Sequence, residues 1–245
     1  MNTPALLKAQ SLVRAGDIIG AEFALVSLAE TEGDHALVLA LDDLPPSDLL
    51  AIIREYDVSK ESVVNLLVTP EQFARAVVLE KRYNDVSREH LRGMINSVIF
   101  REGCNTGEFL QAIGDLDGGC DALVDYLSDK AERVEHFYQY ATFDLFKHGD
   151  DSKTDDDDDY ALTPEPDEHP RLSLEEVNDH DWMELTWTLR YATPDLFTEV
   201  LFMLRARWRD SVRLEALAQE ALNASAKAAA TEEGSAEVLG EESAL

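Results

Sequence analysis

The sequence is poor in basic residues, in cysteine and in long apolar runs. It has 21 Lys and Arg against 50 Asp and Glu, which gives a formal net charge of −29. A surface of this sign repels nucleic acid, so the composition disfavours a protein that coats DNA through a generally basic surface. Because 45% of the residues are nevertheless hydrophobic, the chain can bury a core, which excludes wholesale disorder.

The two cysteines, Cys104 and Cys120, are too few for a disulfide framework and are not spaced as a CxxC pair. They are expected to be plain buried thiols in a reducing compartment. The first residues show no signal-peptide pattern, and no run approaches the roughly 18 apolar residues that a membrane span needs. The sequence therefore predicts a cytoplasmic protein with no membrane partner.

Strand patterns are scarce, since few segments alternate β-branched and polar residues, whereas helix starts are frequent. Thr3, Thr69 and Thr193 each precede a proline, a pair that caps a helix and suits its first position. Thr69 is followed three residues later by Gln72, as in a capping box, and Pro45-Pro46 begins another apolar helical pattern. The predicted fold class is all-α: a multi-helix domain, an acidic linker and a C-terminal helical hairpin.

Changes in composition divide the chain into four predicted regions. Residues 1–147 form the helical domain, and residues 148–172 form a linker rich in Asp and Pro. Residues 173–222 form a helical hairpin that holds all three tryptophans, and residues 223–245 form a disordered acidic tail. The apolar content of the hairpin requires that it pack either on the first region or on a partner.

Catalytic signatures are absent: the sequence has no phosphate-binding GxxxxGK[ST] loop, no GxSxG and no HExxH. One predicted helix carries Glu132, Glu135 and His136. These residues lack the repeated Glu-x-x-His pattern of a di-iron site. The acidic block at Asp155–Asp159 lacks the glycine that a calcium loop requires. We therefore expect a non-enzymatic binding or assembly protein with no cofactor and no metal.

One short region has the pattern of a helix-turn-helix within residues 48–83. The apolar positions and the turn residue follow in the required order: Ile53, Asp57, Val58, Ser59, Val63 and Leu66-Leu67. The second helix, residues 59–68, would present Lys60, Ser62 and Asn65 to a DNA groove.

The charge around this region is balanced, although the chain as a whole is acidic. Residues 52–103 contain equal numbers of basic and acidic residues, so the excess acid lies elsewhere. A basic cluster is predicted to add phosphate contacts to the helix-turn-helix: Lys81, Arg82, Arg88 and Arg92. Helix-turn-helix geometry also occurs simply as packing, so this pattern leaves DNA binding open.

The stretch "DLLAIIREYDVSKESVVNLLVTPEQFARAVVLEKRY", residues 48–83, resembles the helix-turn-helix region of phage small-terminase proteins. The resemblance implies a non-enzymatic protein that recognises viral DNA, assembles into rings and recruits a packaging ATPase. Its DNA-facing residues would be Lys60, Ser62 and Asn65. Under this hypothesis the chain is a phage-type adaptor for DNA packaging, and a homo-oligomer.

A second hypothesis, from a different class of protein function, starts from the acidity of the chain. An acidic protein-binding module, such as a chaperone, an assembly factor or a nucleic-acid-mimicking decoy, would capture a basic partner. Its binding residues would combine carboxylates with aromatic anchors. They would be Asp155, Asp156, Asp157, Asp158, Asp159, Trp182, Trp187 and Trp208.

Overall fold

A computed structural model describes residues 3–55, 62–83, 87–145 and 172–241. All regular structure in these ranges is helical, which confirms the all-α prediction. The helices are α1 (Pro4–Ala15), α2 (Ile18–Glu32), α3 (Asp34–Asp43), α4 (Pro46–Arg54), α5 (Val63–Leu67), α6 (Pro70–Tyr83), α7 (Arg88–Ile99), α8 (Thr106–Gly114), α9 (Gly119–Leu127), α10 (Ala131–Tyr140), α11 (Leu174–Val177), α12 (Trp182–Ala192) and α13 (Pro194–Glu241), with a 3-10 turn at Ser128–Lys130.

Local capping chemistry sets several helix starts where the sequence predicts them. The Thr3 hydroxyl accepts a hydrogen bond from Leu6 N at 3.3 Å at the start of α1. At α6, Gln72 N donates to Thr69 Oγ1 at 3.4 Å and Thr69 N donates to Gln72 Oε1 at 3.0 Å, which completes the capping box. Helix α13 also begins as predicted, but the Thr193 hydroxyl donates backwards to Leu189 O at 3.3 Å.

Helix α6 lies at the centre of the first part of the chain, where it packs against α4, α8 and α9. Its buried residues occupy almost every side of the helix, and two of them, Ala74 and Ala76, are small. Small side chains let neighbouring backbones approach, while Phe73 and Val77 fill the space between them. Only the side that carries Arg75 is exposed, so α6 is buried over most of its surface and organises the core around itself.

An ion pair is buried where α4 meets α6. Arg54 Nη2 donates to Glu80 Oε1 at 3.1 Å, and Arg54 Nε lies 2.5 Å from Glu80 Oε2. The Glu80 side chain is only 1% exposed, so its charge depends on this guanidinium for compensation. The two residues are far apart in sequence, and their pairing fixes the lateral position of α4 on α6.

The segment after the acidic stretch packs on the first part of the chain through α12, which contacts α8. A polar network adds to this packing: Asp181 Oδ1 accepts from Asn96 Nδ2 at 2.9 Å and lies 3.0 Å from the Tyr126 hydroxyl oxygen. The Tyr126 hydroxyl donates to Asn96 Oδ1 at 2.6 Å. Burial, and then the nearby carboxylate, raise the pKa of Tyr126, so the hydroxyl stays protonated and able to donate.

The prediction of a disordered tail from residue 223 was wrong for the backbone, because α13 continues to Glu241. The prediction rested on a composition of Ala, Glu, Ser and Gly, but the stretch between Ala224 and Ala230 is mostly alanine, which has the highest helix propensity. The chain divides into two compact units, Met1–Met203 and Leu204–Leu245. The boundary between these two units falls inside α13, and the four predicted regions stay predictions.

Candidate protein-binding surface

The second helix of the predicted helix-turn-helix is shorter than the sequence suggested. Helix α5 begins at Val63, and Ser62 before it has the extended backbone of an N-cap, with φ −82° and ψ 123°. A helix running unbroken over residues 59–68 is therefore wrong, because the Ser62 hydroxyl caps α5 by accepting from Asn65 N at 3.3 Å. Lys60 and the turn residues 57–59 lie outside the described residues.

The two candidate base-reading side chains of this segment make contacts inside the protein. Asn65 is 7% exposed, and its Nδ2 donates to Ser97 Oγ at 3.3 Å. Ser62 Oγ donates to Glu22 Oε1. The expectation that Asn65 is presented to solvent was wrong, because its amide joins α5 to α7 instead of facing outward.

The predicted basic cluster is largely neutralised by carboxylates from later in the chain. Lys81 pairs with Asp125, and the Arg92 guanidinium donates to Asp129 and, at 2.7 Å, to Tyr126 O. Arg82 is exposed, with Nη2 3.8 Å from Asp117 Oδ2, and Arg88 is also exposed. Two of the four predicted phosphate-binding residues thus hold α6 and α7 to α9 and to the 3-10 turn that follows it.

The three tryptophans have different environments. Trp182 is buried, with its ring edge-on to Phe143 at a centroid distance of 5.1 Å. Trp187 is half-buried, and its Nε1 donates to Leu172 O at 2.8 Å. Trp208 is 54% exposed. Trp182 is a core residue, so its assignment to a partner surface was wrong, and Trp208 is the tryptophan most open to a partner. Asp155–Asp159 lie outside the described residues.

A more exposed apolar feature lies on α2. Ile19 is 81% exposed and Phe23 is 68% exposed, one helical turn apart and therefore neighbours on the helix surface. The opposite side of α2 supplies its buried residues: Ala21, Ala24, Leu25 and Leu28. Helix α2 is thus apolar on the side that packs and also on the side that faces outward, which makes the outward pair available to a partner.

The segment of the chain that contains this apolar pair carries charge of one sign. Residues 15–53, which include α2, α3 and all of α4 except Arg54, contain no Lys or Arg. Their acidic residues are Asp17, Glu22, Glu30, Glu32, Asp34, Asp42, Asp43 and Asp48. One of these carboxylates lies near an arginine of α6: Arg75 Nη2 is 3.8 Å from Asp42 Oδ1. Asp17 and Glu22 are the acidic residues that flank the Ile19–Phe23 pair along the chain.

Sequence reasoning missed this pair, although a signal was present. The segment "IIGAEFALVSLAE" has apolar residues all around the helix, which indicates burial on more than one side. Only one side of α2 is covered by the described part of the chain. The sequence does not show whether other helices cover all sides of α2 or only one. That follows only from the packing of the neighbouring helices.

Other chemistry on the described residues is sparse. Cys104 and Cys120 are free thiols, and burial followed by a hydrogen bond to Glu199 raises the pKa of Cys120 to about 11. No group of three or more His, Cys, Asp or Glu side chains in the described ranges is placed to hold a metal ion. Among the same residues, no helix is both long enough and apolar enough to cross a bilayer.

The chain matches no protein-family model, no curated protein and no solved structure.

Proposed function

We propose that the protein is a non-enzymatic binding module whose α2 surface captures a basic, amphipathic segment of a partner protein. The observation that carries the proposal is the exposed Ile19–Phe23 pair within residues 15–53, which lack Lys and Arg. Large apolar side chains that are exposed together on a helix commonly mark a contact surface. The surrounding acid selects the charge of the segment that binds there.

The occupant that fits is a helix with apolar residues on one side and Lys or Arg on the other. Its apolar side would cover Ile19 and Phe23, in the way that helical peptides are bound through anchors one turn apart. Its basic side would lie near the carboxylates of α2 and α3. Apolar contacts would supply most of the affinity, whereas the charges would speed association and exclude acidic partners.

The contacts of the basic side chains favour this class of protein over a DNA adaptor. Lys81 and Arg92 already pair with carboxylates of the same chain, and Asn65 is buried. A DNA surface built from them would have to break contacts that hold α6 and α7 in place. The exposed pair on α2, by contrast, is open without any rearrangement.

The test is titration of the full chain into a fluorescein-labelled amphipathic peptide made of leucine and lysine. We expect saturable binding that weakens steeply as salt rises, because the attraction between basic peptide and acidic surface is screened. Replacing Ile19→Ser together with Phe23→Ser should weaken binding at least about tenfold, since each buried anchor is worth about 1.5 kcal/mol or more.

The matched control replaces two exposed apolar residues elsewhere, Leu174→Ser with Phe202→Ser, and should leave the affinity unchanged. A leucine peptide with glutamate in place of lysine should not bind. Equal losses in the α2 variant and in the control would show that the peptide binds by general hydrophobicity, and the proposal would then be wrong.

A further inference from the structure

Helix α13 exposes large apolar side chains in the stretch that follows residue 203. Trp208 is 54% exposed and Val212 is 50% exposed, and because they are four residues apart they are neighbours on the helix surface. Leu214 is exposed as well. A helix with uncovered apolar side chains gains stability when a second element covers them. This stretch of α13 is therefore a surface that a partner can occupy.

The same stretch is basic, although the chain as a whole is acidic. Residues 204–214 contain four arginines and one acidic residue, which gives a net charge of +3 (4 − 1). Two of these arginines, Arg209 and Arg213, are exposed. They directly follow the two residues of the Trp208–Val212 pair, so apolar and basic side chains lie on adjoining sides of the helix. Residues 204–214 thus form a basic amphipathic segment.

The exposed side of α2 has the complementary character. Ile19 and Phe23 are also four residues apart, so the exposed pairs of the two helices have the same length, about 6 Å at 1.5 Å per residue. Glu30 is exposed and follows Phe23 by seven residues, which places it on the same side of α2. Residues 15–53 contain no Lys or Arg that would repel an arginine. Helix α2 therefore offers apolar and acidic groups where α13 offers apolar and basic ones.

We propose that the basic amphipathic segment captured by α2 is residues 204–214 of a second copy of the same chain. This inference rests on the proposed function, because it names the partner of the same α2 surface. The Trp208–Val212 pair of one copy covers the Ile19–Phe23 pair of the other, and the neighbouring arginines lie toward its carboxylates. The contact joins two different surfaces, and each copy carries both of them.

Charge decides between this contact and its alternatives. Two α13 segments paired with each other would bring arginine close to arginine, and two α2 surfaces would bring carboxylate close to carboxylate. An anionic membrane would attract the arginines of α13, but it would repel the chain as a whole, whose net charge is −29. Pairing α13 of one copy with α2 of another places opposite charges together.

Sedimentation equilibrium of the full chain tests the proposal at about 0.15 M salt, where repulsion between whole chains is screened beyond about 8 Å. We expect the wild type to self-associate. The α2 variant, Ile19→Ser with Phe23→Ser, should associate at least about tenfold more weakly, because it loses both apolar anchors. An α13 variant, Trp208→Ser with Val212→Ser, should lose as much.

Mixing the two variants distinguishes this contact from pairing of like surfaces. The α2 variant keeps an intact α13 segment, and the α13 variant keeps an intact α2 surface. An equimolar mixture should therefore form a one-to-one complex that is tighter than the association of either variant alone. If α13 paired with α13 instead, the α2 variant would associate like the wild type.

Charge reversal supplies a matched control. Arg209→Glu with Arg213→Glu should weaken self-association about tenfold or more, because like charges then meet at the contact. Arg82→Glu with Arg88→Glu makes the same change in charge at two arginines that are exposed elsewhere, and it should weaken association much less. Helicity retained in every variant by circular dichroism separates lost association from lost folding.

Peptide binding and self-association can fail separately. A wild-type chain that stays monomeric throughout the accessible concentration range overturns this proposal, while binding of the leucine–lysine peptide through Ile19 and Phe23 still supports the proposed function. An α2 variant that associates like the wild type overturns it as well, because the contact then lies elsewhere. The same holds for a mixture that associates no better than either variant alone.

Discussion

Asn96 Nδ2 donates to Asp181 Oδ1 at 2.9 Å, which joins α7 to the start of α12 across 85 residues of chain. The same carboxylate oxygen lies 3.0 Å from the Tyr126 hydroxyl, in a site closed to solvent on the tyrosine side. Arg92 Nε lies 3.7 Å from the same oxygen, so the network is a polar link between α7, α9 and the start of α12.

Replacing Asp181→Ala should lower the free energy of unfolding by about 1–3 kcal/mol, because it leaves the Asn96 amide without its acceptor beside the buried Tyr126. Urea unfolding followed by circular dichroism measures this. Asp210→Ala on the exposed side of α13 is the control and should change stability by less than about 0.5 kcal/mol. Equal effects of the two changes would contradict a structural role for the Asp181 network.

The Arg54–Glu80 pair should behave as a buried pair and not as a surface one. Arg54→Met alone should lower the free energy of unfolding by about 3–5 kcal/mol, because it leaves the Glu80 carboxylate buried without a cation. Urea unfolding measures this change. Arg54→Met with Glu80→Leu should recover most of that loss. Arg75→Met, which removes a half-exposed arginine 3.8 Å from Asp42, should cost less than about 1 kcal/mol. A double variant no more stable than Arg54→Met would contradict this prediction.

Folding stability should rise with salt. A net charge of −29 repels itself within the compact state, and raising KCl from about 0.01 M to about 1 M shortens the screening length from roughly 30 Å to 3 Å. Thermal unfolding should therefore shift upwards over this range. Changing the five aspartates 155–159 to asparagine reduces the charge to −24 (−29 + 5) and should flatten the dependence. A melting temperature that does not respond to KCl would argue against self-repulsion.

The two thiols should differ in reactivity. Burial first, and then Glu199, raise the pKa of Cys120 to about 11, so at pH 8 the thiol is almost wholly protonated and unreactive. Cys104 is half-buried, and we expect iodoacetamide to alkylate it first in the native chain. Alkylation of Cys120 should accelerate as the pH approaches 11. Peptide mass mapping over time measures both rates, and equal native rates at pH 8 would contradict the burial of Cys120.

Duplex DNA distinguishes a protein-binding module from a DNA-linked adaptor. With Lys81 and Arg92 paired inside the chain, we expect no binding of labelled duplex to the full chain at about 0.15 M salt. At lower salt, DNA binding by the full chain is compared with DNA binding by the variant Arg82→Glu with Arg88→Glu. Binding that has a clear salt slope and is lost in that variant would restore the DNA-linked adaptor as the better proposal.

Local chemistry made the helix starts predictable. The reciprocal Thr69–Gln72 hydrogen bonds involve residues three apart, so the sequence carries the whole interaction. Burial of polar side chains was not predictable in this way. Glu80 pairs with a residue 26 positions away and Asn65 with one 32 positions away, and nothing in their local sequence distinguishes them from surface residues.

The candidate surface was harder to predict than the fold. A hydrophobic pattern identifies a side chain that gains by burial, but it does not say whether another element covers it. Trp182 and Phe23 illustrate the two outcomes, since the first packs edge-on to Phe143 while the second remains 68% exposed. The decisive information is the arrangement of the other helices around each residue, which is a property of the whole fold.

The docking of α12 means that the two sides of the acidic stretch belong to one folded unit. The Phe137 and Phe143 rings stack on each other before the acidic stretch, and Trp187 Nε1 donates to Leu172 O after it. The side-chain contacts that join them, such as the Asn96–Asp181 hydrogen bond, need no peptide bond between residues 145 and 172. Two separately translated pieces, 1–145 and 172–245, should accordingly find each other in the cell and copurify as a complemented protein.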